Sequence, residues 1–146
     1  MFTRALLLGL MLIGLIMVLG CARPEDKLMR LIEKRLETVN RGDYGVAVEW
    51  LEPEFRQGLE VQVGDLRPLL GMQRGLDQET GRIYRAVELT AFEKDAYAEV
   101  VLERSGPAGV FEGKELFVVP MVFHSGTWWI AGEMKDGQSA RYRLRR

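Results

Sequence analysis

Few side chains in this chain could carry chemistry, and their types limit what that chemistry could be. There is one cysteine, Cys21, and one histidine, His124. A single Cys and a single His cannot assemble a zinc site from the usual ligands, and a lone cysteine allows no internal disulfide. His124 falls beside Ser125-Gly126, which reads as a two-residue hairpin turn. A catalytic or ligating imidazole needs a neighbour to orient it, and the sequence suggests none there. Ser105, Ser125 and Ser139 lie in turn-like contexts without a nearby base. No phosphate-cradling glycine loop or nucleophile elbow is present. No metal and no cofactor are expected.

Cys21 is different, because of what precedes it. Met1 to Arg4 carry one positive charge, and Ala5 to Leu19 then run without a charged side chain. A basic start followed by an apolar run of this length is the layout of a secretory signal. A membrane-spanning helix needs about 20 apolar residues, and this run is shorter and interrupted by Gly9 and Gly14. Val18-Leu19-Gly20-Cys21 resembles the lipobox of bacterial lipoproteins, in which a small residue precedes the cysteine that takes diacylglycerol. The resemblance implies cleavage before Cys21, with residues 1–20 as signal peptide, residues 21–24 as lipidated cysteine and tether, and residues 25–146 as one domain. It also implies an exported protein held at the cell membrane by lipid on Cys21. With Ala22 rather than Asp in the next position, a Gram-negative cell would send it to the outer membrane, facing the periplasm.

Composition agrees with one ordinary domain. The 20 basic and 21 acidic residues nearly balance; loss of residues 1–20 removes only the charge of Arg4. No basic excess points to nucleic acid, and none is expected as a partner.

The elements behind the anchor begin with a helix over 25–39, whose apolar residues Leu28, Ile32, Leu36 and Val39 fall at helical spacing. Pro24 suits its first turn and Asn40-Arg41-Gly42 its end. Asp43 reads as the cap of a second helix, Tyr44 to Leu51, burying Val46, Ala47 and Trp50 and ended by Pro53. Asp65 reads as the cap of a third, reaching about Leu76. After Gly81 the period changes to two, with strands expected near 82–92, 96–104, 112–124, 127–135 and 140–145. Helices first and antiparallel strands after make an α+β fold.

The segment from Ile32 through Asn40-Arg41-Gly42-Asp43-Tyr44 to Trp50-Leu51-Glu52-Pro53-Glu54-Phe55 resembles the opening of nuclear-transport-factor-two-like domains. Gly126-Thr127-Trp128-Trp129-Ile130-Ala131-Gly132 is similar to their last hairpin strand. The resemblance implies N-terminal helices packed on a curved antiparallel sheet, a cone that often encloses a pocket and often dimerises. The superfamily includes ketosteroid-isomerase-like enzymes and dehydratases as well as members without catalysis, so the fold alone does not assign function. Such isomerases use a buried carboxylate and an acidic donor. In the comparable stretch, Phe55 to Val61, only Glu60 could serve, with Tyr84, Tyr44 or Tyr97 as donor.

Register arguments place side chains further. If the strands 82–92 and 96–104 join through Lys94-Asp95, Ile83, Val87, Leu89 and Ala91 share a face with Ala98, Val100 and Leu102. Glu88, Thr90, Glu99 and Glu103 then lie on a solvated face. A turn at Ser125-Gly126 pairs His124 with Thr127, Phe123 with Trp128 and Met121 with Ile130. One face then carries Phe117, Val119, Met121, Phe123, Trp128, Ile130 and Met134, with Phe117, Met121 and Trp128 lining any pocket. The other carries Leu116, Val118, Pro120, Val122, Trp129 and Ala131 and is also apolar. Val118, Val122 and Trp129 are therefore expected to form an interface with a second copy or an envelope protein unless the chain covers them itself. The basic end, Arg141 to Arg146, reads as an edge strand guarded by charge or a contact for anionic envelope components. The leading expectation is a non-catalytic binding domain for a small apolar ligand or a protein partner, and the rival is a small isomerase- or dehydratase-like enzyme. With a helix starting about three residues after Cys21, the tether spans only about 10 Å, so the domain should ride against the bilayer.

Overall fold

The computed structural model describes residues 22–93, 96–107, 114–132 and 135–136. Cys21, the expected signal segment before it, Met134 and the basic C-terminus lie outside the described residues. Among the described residues, three α-helices and a short 3-10 helix come first, and an antiparallel sheet follows. This is the expected α+β order.

Helix α1, Pro24–Asn40, has Pro in its first turn beside Glu25 and Asp26, a favourable placement for acidic groups against the helix dipole. It buries the stripe Leu28, Ile32, Leu36 and Val39. Its end is a Schellman motif: Asp43 N–H bonds Thr38 O at 3.2 Å and Gly42 N–H bonds Val39 O at 2.8 Å, with Gly42 at φ 101°. The next turn is a 3-10 helix, Gly45–Trp50, and Asp43 does not cap it; its N-cap is Tyr44. Val48, at 1% exposure, is its buried residue, while Ala47 and Trp50 reach a cavity described below.

Pro53 begins a helix rather than ending one. Helix α2, Pro53–Val63, takes Pro in its first turn and is capped by Glu52, whose carboxylate accepts from Phe55 N–H; none of its residues is buried. Helix α3, Arg67–Thr80, starts with Asp65 accepting from Arg67 N–H at 3.0 Å. It continues past Leu76 to a second Schellman stop at Gly81, where Arg82 N–H bonds Asp77 O at 2.9 Å. That extra turn carries Asp77. Val61, Val63, Leu69, Met72 and Leu76 are exposed on α2, its end and α3, so these helices attach through few side chains.

The sheet runs β1 (Ile83–Glu93), β2 (Tyr97–Ser105), β3 (Glu115–His124), β4 (Thr127–Ile130), with β5 (Lys135–Asp136) also on β3. Ser125 and Gly126 both adopt positive φ, 52° and 81°, as a type I′ turn requires. The pairs His124–Thr127, Phe123–Trp128 and Met121–Ile130 follow, as the sequence leads one to expect. β5 resumes pairing out of step with β4, since Phe117 faces Asp136 while Met121 faces Ile130.

β1 departs from its expected register. Two β-bulges, between Ala86 and Glu88 and between Leu89 and Ala91, each leave an extra residue and turn the strand. Tyr84, Ala86, Leu89 and Phe92 therefore pack on the core. Ile83 and Val87 point out, at 46% and 43% exposure, and Ala91 pairs with Glu99. β2 turns Ala98 and Val100, both fully buried, to the core with Leu102 beside them, and also buries Val101 at 2% exposure on its other face. Glu103 is not solvated as expected. It is buried at 5% exposure, ion-paired to Arg85 and to Lys114, and the Arg85 bond outweighs burial and holds its carboxyl below the ordinary glutamate range.

The core joins Leu28, Ile32 and Leu36 of α1 to Ala98, Val100, Val119, Met121 and Trp128. Leu28 is wholly inaccessible. Leu28→Ala should lower unfolding free energy by about 3 kcal/mol, measured as a fall in the urea midpoint with an unchanged slope.

Candidate functional site

A buried charge and a half-buried one frame the space between the helices and the sheet. The first is Asp77, in the last turn of α3 and 1% exposed. Its Oδ2 accepts from Tyr44 Oη and Tyr84 Oη, both at 2.8 Å. Its Oδ1 accepts from Gln73 Nε2 at 3.0 Å, Arg104 Nε at 3.0 Å and Arg104 Nη2 at 2.6 Å. Burial alone would raise the carboxyl, but the bonds from Tyr44, Tyr84, Arg104 and Gln73 outweigh it and keep Asp77 below the ordinary aspartate range. Burial, and then the bond to Asp77, pushes both phenols well above the usual tyrosine value, so they act as donors and not as bases.

Local structure aims each donor. The turn ending α1 delivers Tyr44, and Gln73 lies one helical turn before Asp77. Tyr84 is fixed by Asn40, whose side chain donates to Tyr84 O at 2.8 Å and accepts from Tyr84 N–H at 2.9 Å. Arg104 continues the inward face of β2 and pairs in register with Tyr84. It also donates to Glu115 at 2.7 Å. The bonds to Asp77 and Glu115 more than offset the effect of burial on Arg104 and raise its pKa.

The second charge is Arg35 of α1. Its Nη2 donates to Trp128 O at 3.0 Å, and its guanidinium lies 5.5 Å from the ring centre of Trp50. Burial lowers its pKa, though an arginine still remains protonated at neutral pH.

Between these groups lies a cavity of about 310 Å³, at the lower end of the range for small-molecule sites. Ile32, Leu36 and Val39 form one wall and Val100, Leu102, Phe117, Val119 and Met121 the other; Ala47, Trp50, Leu70 and Ile130 close the sides. Arg35, Tyr44, Gln73, Tyr84 and Arg104 supply its polar edge.

The sequence candidates scatter. Phe117 and Met121 line the cavity, while Trp128 packs beside it in the core, against Phe92 and Phe123. Tyr84 lines the cavity but gives its hydroxyl to Asp77. Glu60 lies on α2, 2.9 Å from Arg56, around a separate hollow shared with Trp129. Val118 is covered within the chain, at 3% exposure. Val122 and Trp129 are half-buried, and Trp129 donates to His124 O and stacks on the His124 ring. His124 does have a neighbour, Glu52, at 3.7 Å. Among the described residues no group of three or more His, Cys, Asp or Glu is placed to hold a metal ion.

Asp77, Arg104 and Arg35 were not singled out by sequence reasoning, yet each breaks a pattern. Arg35 falls three residues after Ile32 and four before Val39, within the apolar stripe. Arg104 follows Ala98, Val100 and Leu102 on the inward face. Compared with protein-family models, curated proteins and solved structures, the chain matches none.

Removing one partner of a buried ion pair strands the other. Asp77→Asn should therefore cost about 3 kcal/mol at neutral pH, at the low end because Glu115 still holds Arg104. A depressed carboxyl pKa stabilises fully above the unfolded value, about 3.9, and that stability is lost as pH falls through the folded value. The gap between wild type and Asp77→Asn should thus shrink on acidification below about pH 4, read from urea midpoints at a series of pH values.

Proposed function

We propose that this chain is an exported, lipid-anchored binding domain that holds a small apolar ligand between its helices and its sheet. The observation that carries the reading is the cavity, walled by aliphatic and aromatic side chains from α1, the 3-10 helix, α3 and four strands. Pockets of this kind, mostly apolar with a few convergent polar groups, are the usual form of small-molecule sites. The order of elements and the enclosed space also support reading the fold as nuclear-transport-factor-two-like.

An isomerase- or dehydratase-like reaction would need a carboxylate free to take a proton, with a pKa near the working pH. Asp77 beside two tyrosines resembles such a set, but five hydrogen bonds occupy its oxygens and hold it ionised. Glu60 stands outside the cavity. Val118 lies beneath its own chain, which favours a ligand in the cavity over a partner on the outer face.

The anchor rests on the signal-like run and on Cys21. Helix α1 begins at Pro24, so only Ala22 and Arg23 separate the domain from the lipid. Cells fed labelled palmitate should incorporate it into the wild-type chain, and Cys21→Ser should carry no label and leave the membrane fraction. Equal labelling of the two would overturn the anchor.

For the pocket, full-length protein in lipid nanodiscs should bind radiolabelled decanol saturably, in excess of empty nanodiscs. Ala47→Phe, which fills the cavity from the 3-10 helix, should abolish the excess while leaving the circular dichroism spectrum unchanged. Binding that Ala47→Phe does not alter would place the ligand elsewhere.

A further inference from the structure

We infer that the ligand carries a single carboxylate, and that Arg35 recognises it while the aliphatic walls take an apolar tail. This rests on the cavity being a binding site and names what enters it. Arg35 lines the cavity, yet its charge is not balanced there. Nη2 spends one N–H on Trp128 O, and Nη1 is buried with no hydrogen-bond partner among the described residues. The ion pairs among the described residues join Arg41, Arg56, Arg82, Arg85, Arg104, Lys114 and His124 to carboxylates, and Arg35 is in none of them.

An orphaned N–H on a charged group is among the most costly unsatisfied groups in a protein interior. The cost disappears when an anion arrives. A guanidinium presents its N–H groups as planar forks, which match the two oxygens of a carboxylate. Trp50 backs its face and the Trp128 carbonyl fixes its direction, so the fork is held before a ligand binds.

The charge of the ligand follows from the cations available. Arg104, the other arginine of the lining, already serves Asp77 and Glu115. That leaves one guanidinium, enough for a monoanion; a phosphate dianion would enter with half its charge unmatched. The apolar walls require the rest of the ligand to be hydrocarbon. A medium-chain carboxylic acid satisfies both demands.

Labelled decanoate and decanol share a chain and differ in the head. Full-length protein in nanodiscs, with empty nanodiscs as the blank, should bind decanoate at least about tenfold more tightly than decanol. Arg35→Met should bind the two alike and retain decanol binding. Arg35→Lys, a point charge without the fork, should keep part of the preference. Decyl phosphate should bind less tightly than decanoate. Decanol binding without a preference for decanoate, or a preference that survives in Arg35→Met, would overturn the carboxylate assignment and leave the apolar pocket standing. Tighter binding of decyl phosphate would overturn the choice of carboxylate. Failure of both decanol and decanoate to bind would overturn the pocket with it.

Discussion

Taking an ionised carboxylate out of water costs several kcal/mol unless its lone pairs find donors in the protein. Asp77 meets that demand with groups from four places in the chain: the turn after α1, α3 itself, β1 and β2. Satisfying one carboxylate therefore fixes where three separate elements stand relative to α3. The donors are themselves held, Tyr84 by Asn40 and Arg104 by Glu115. Few apolar contacts compete with this arrangement, since α2 buries nothing and Asp77 is the buried residue of α3. The helical layer is thus tied to the sheet both by these polar bonds and by the core that Leu28, Ile32 and Leu36 share with Ala98, Val100 and Trp128. The cavity is lined by members of both attachments, Ile32 and Leu36 of the core and Tyr44, Tyr84 and Arg104 of the polar cluster.

How much of this could be read from sequence depended on whether a local rule governed the outcome. The apolar stripe of α1, its glycine stop and the Ser125-Gly126 hairpin each follow from local geometry, and each was legible. So was the inward face of β2, where Ala98, Val100 and Leu102 recur at every second residue. Pro53 misled because proline suits a first helical turn as well as a stop, and only the cap from Glu52 decides between them. Strand β1 misled because its two bulges cannot be read from alternation alone. Their effect is that Tyr84, Ala86, Leu89 and Phe92 share the inward face, a set that strict alternation cannot produce, while Ile83 and Val87 point out.

The site was harder to see than the fold for a related reason. Polar residues in an apolar pattern are usually scored as noise, and Arg35 and Arg104 are both of this kind. A helix stopped at Leu76 also excludes Asp77, although Gln73 and Asp77 are spaced to share a helical face. The residues that break a pattern were the informative ones, as expected where local consistency yields to a site.

The two arginines of the lining solve the same problem differently. Each carries a charge into an aliphatic space, and each loses hydration in doing so. Arg104 finds its counter-ion within the chain, in Asp77, and the pair is part of what holds the fold together. Arg35 is held by a carbonyl and an aromatic face, which orient a guanidinium but do not neutralise it. An orienting environment without a counter-ion keeps the cation in place at a cost in stability, and any anion that reaches it returns that stability as binding energy. Occupation would then stabilise the fold by RT ln(1 + L/Kd), where L is the free ligand concentration, rising with the logarithm of that concentration once the site is saturated.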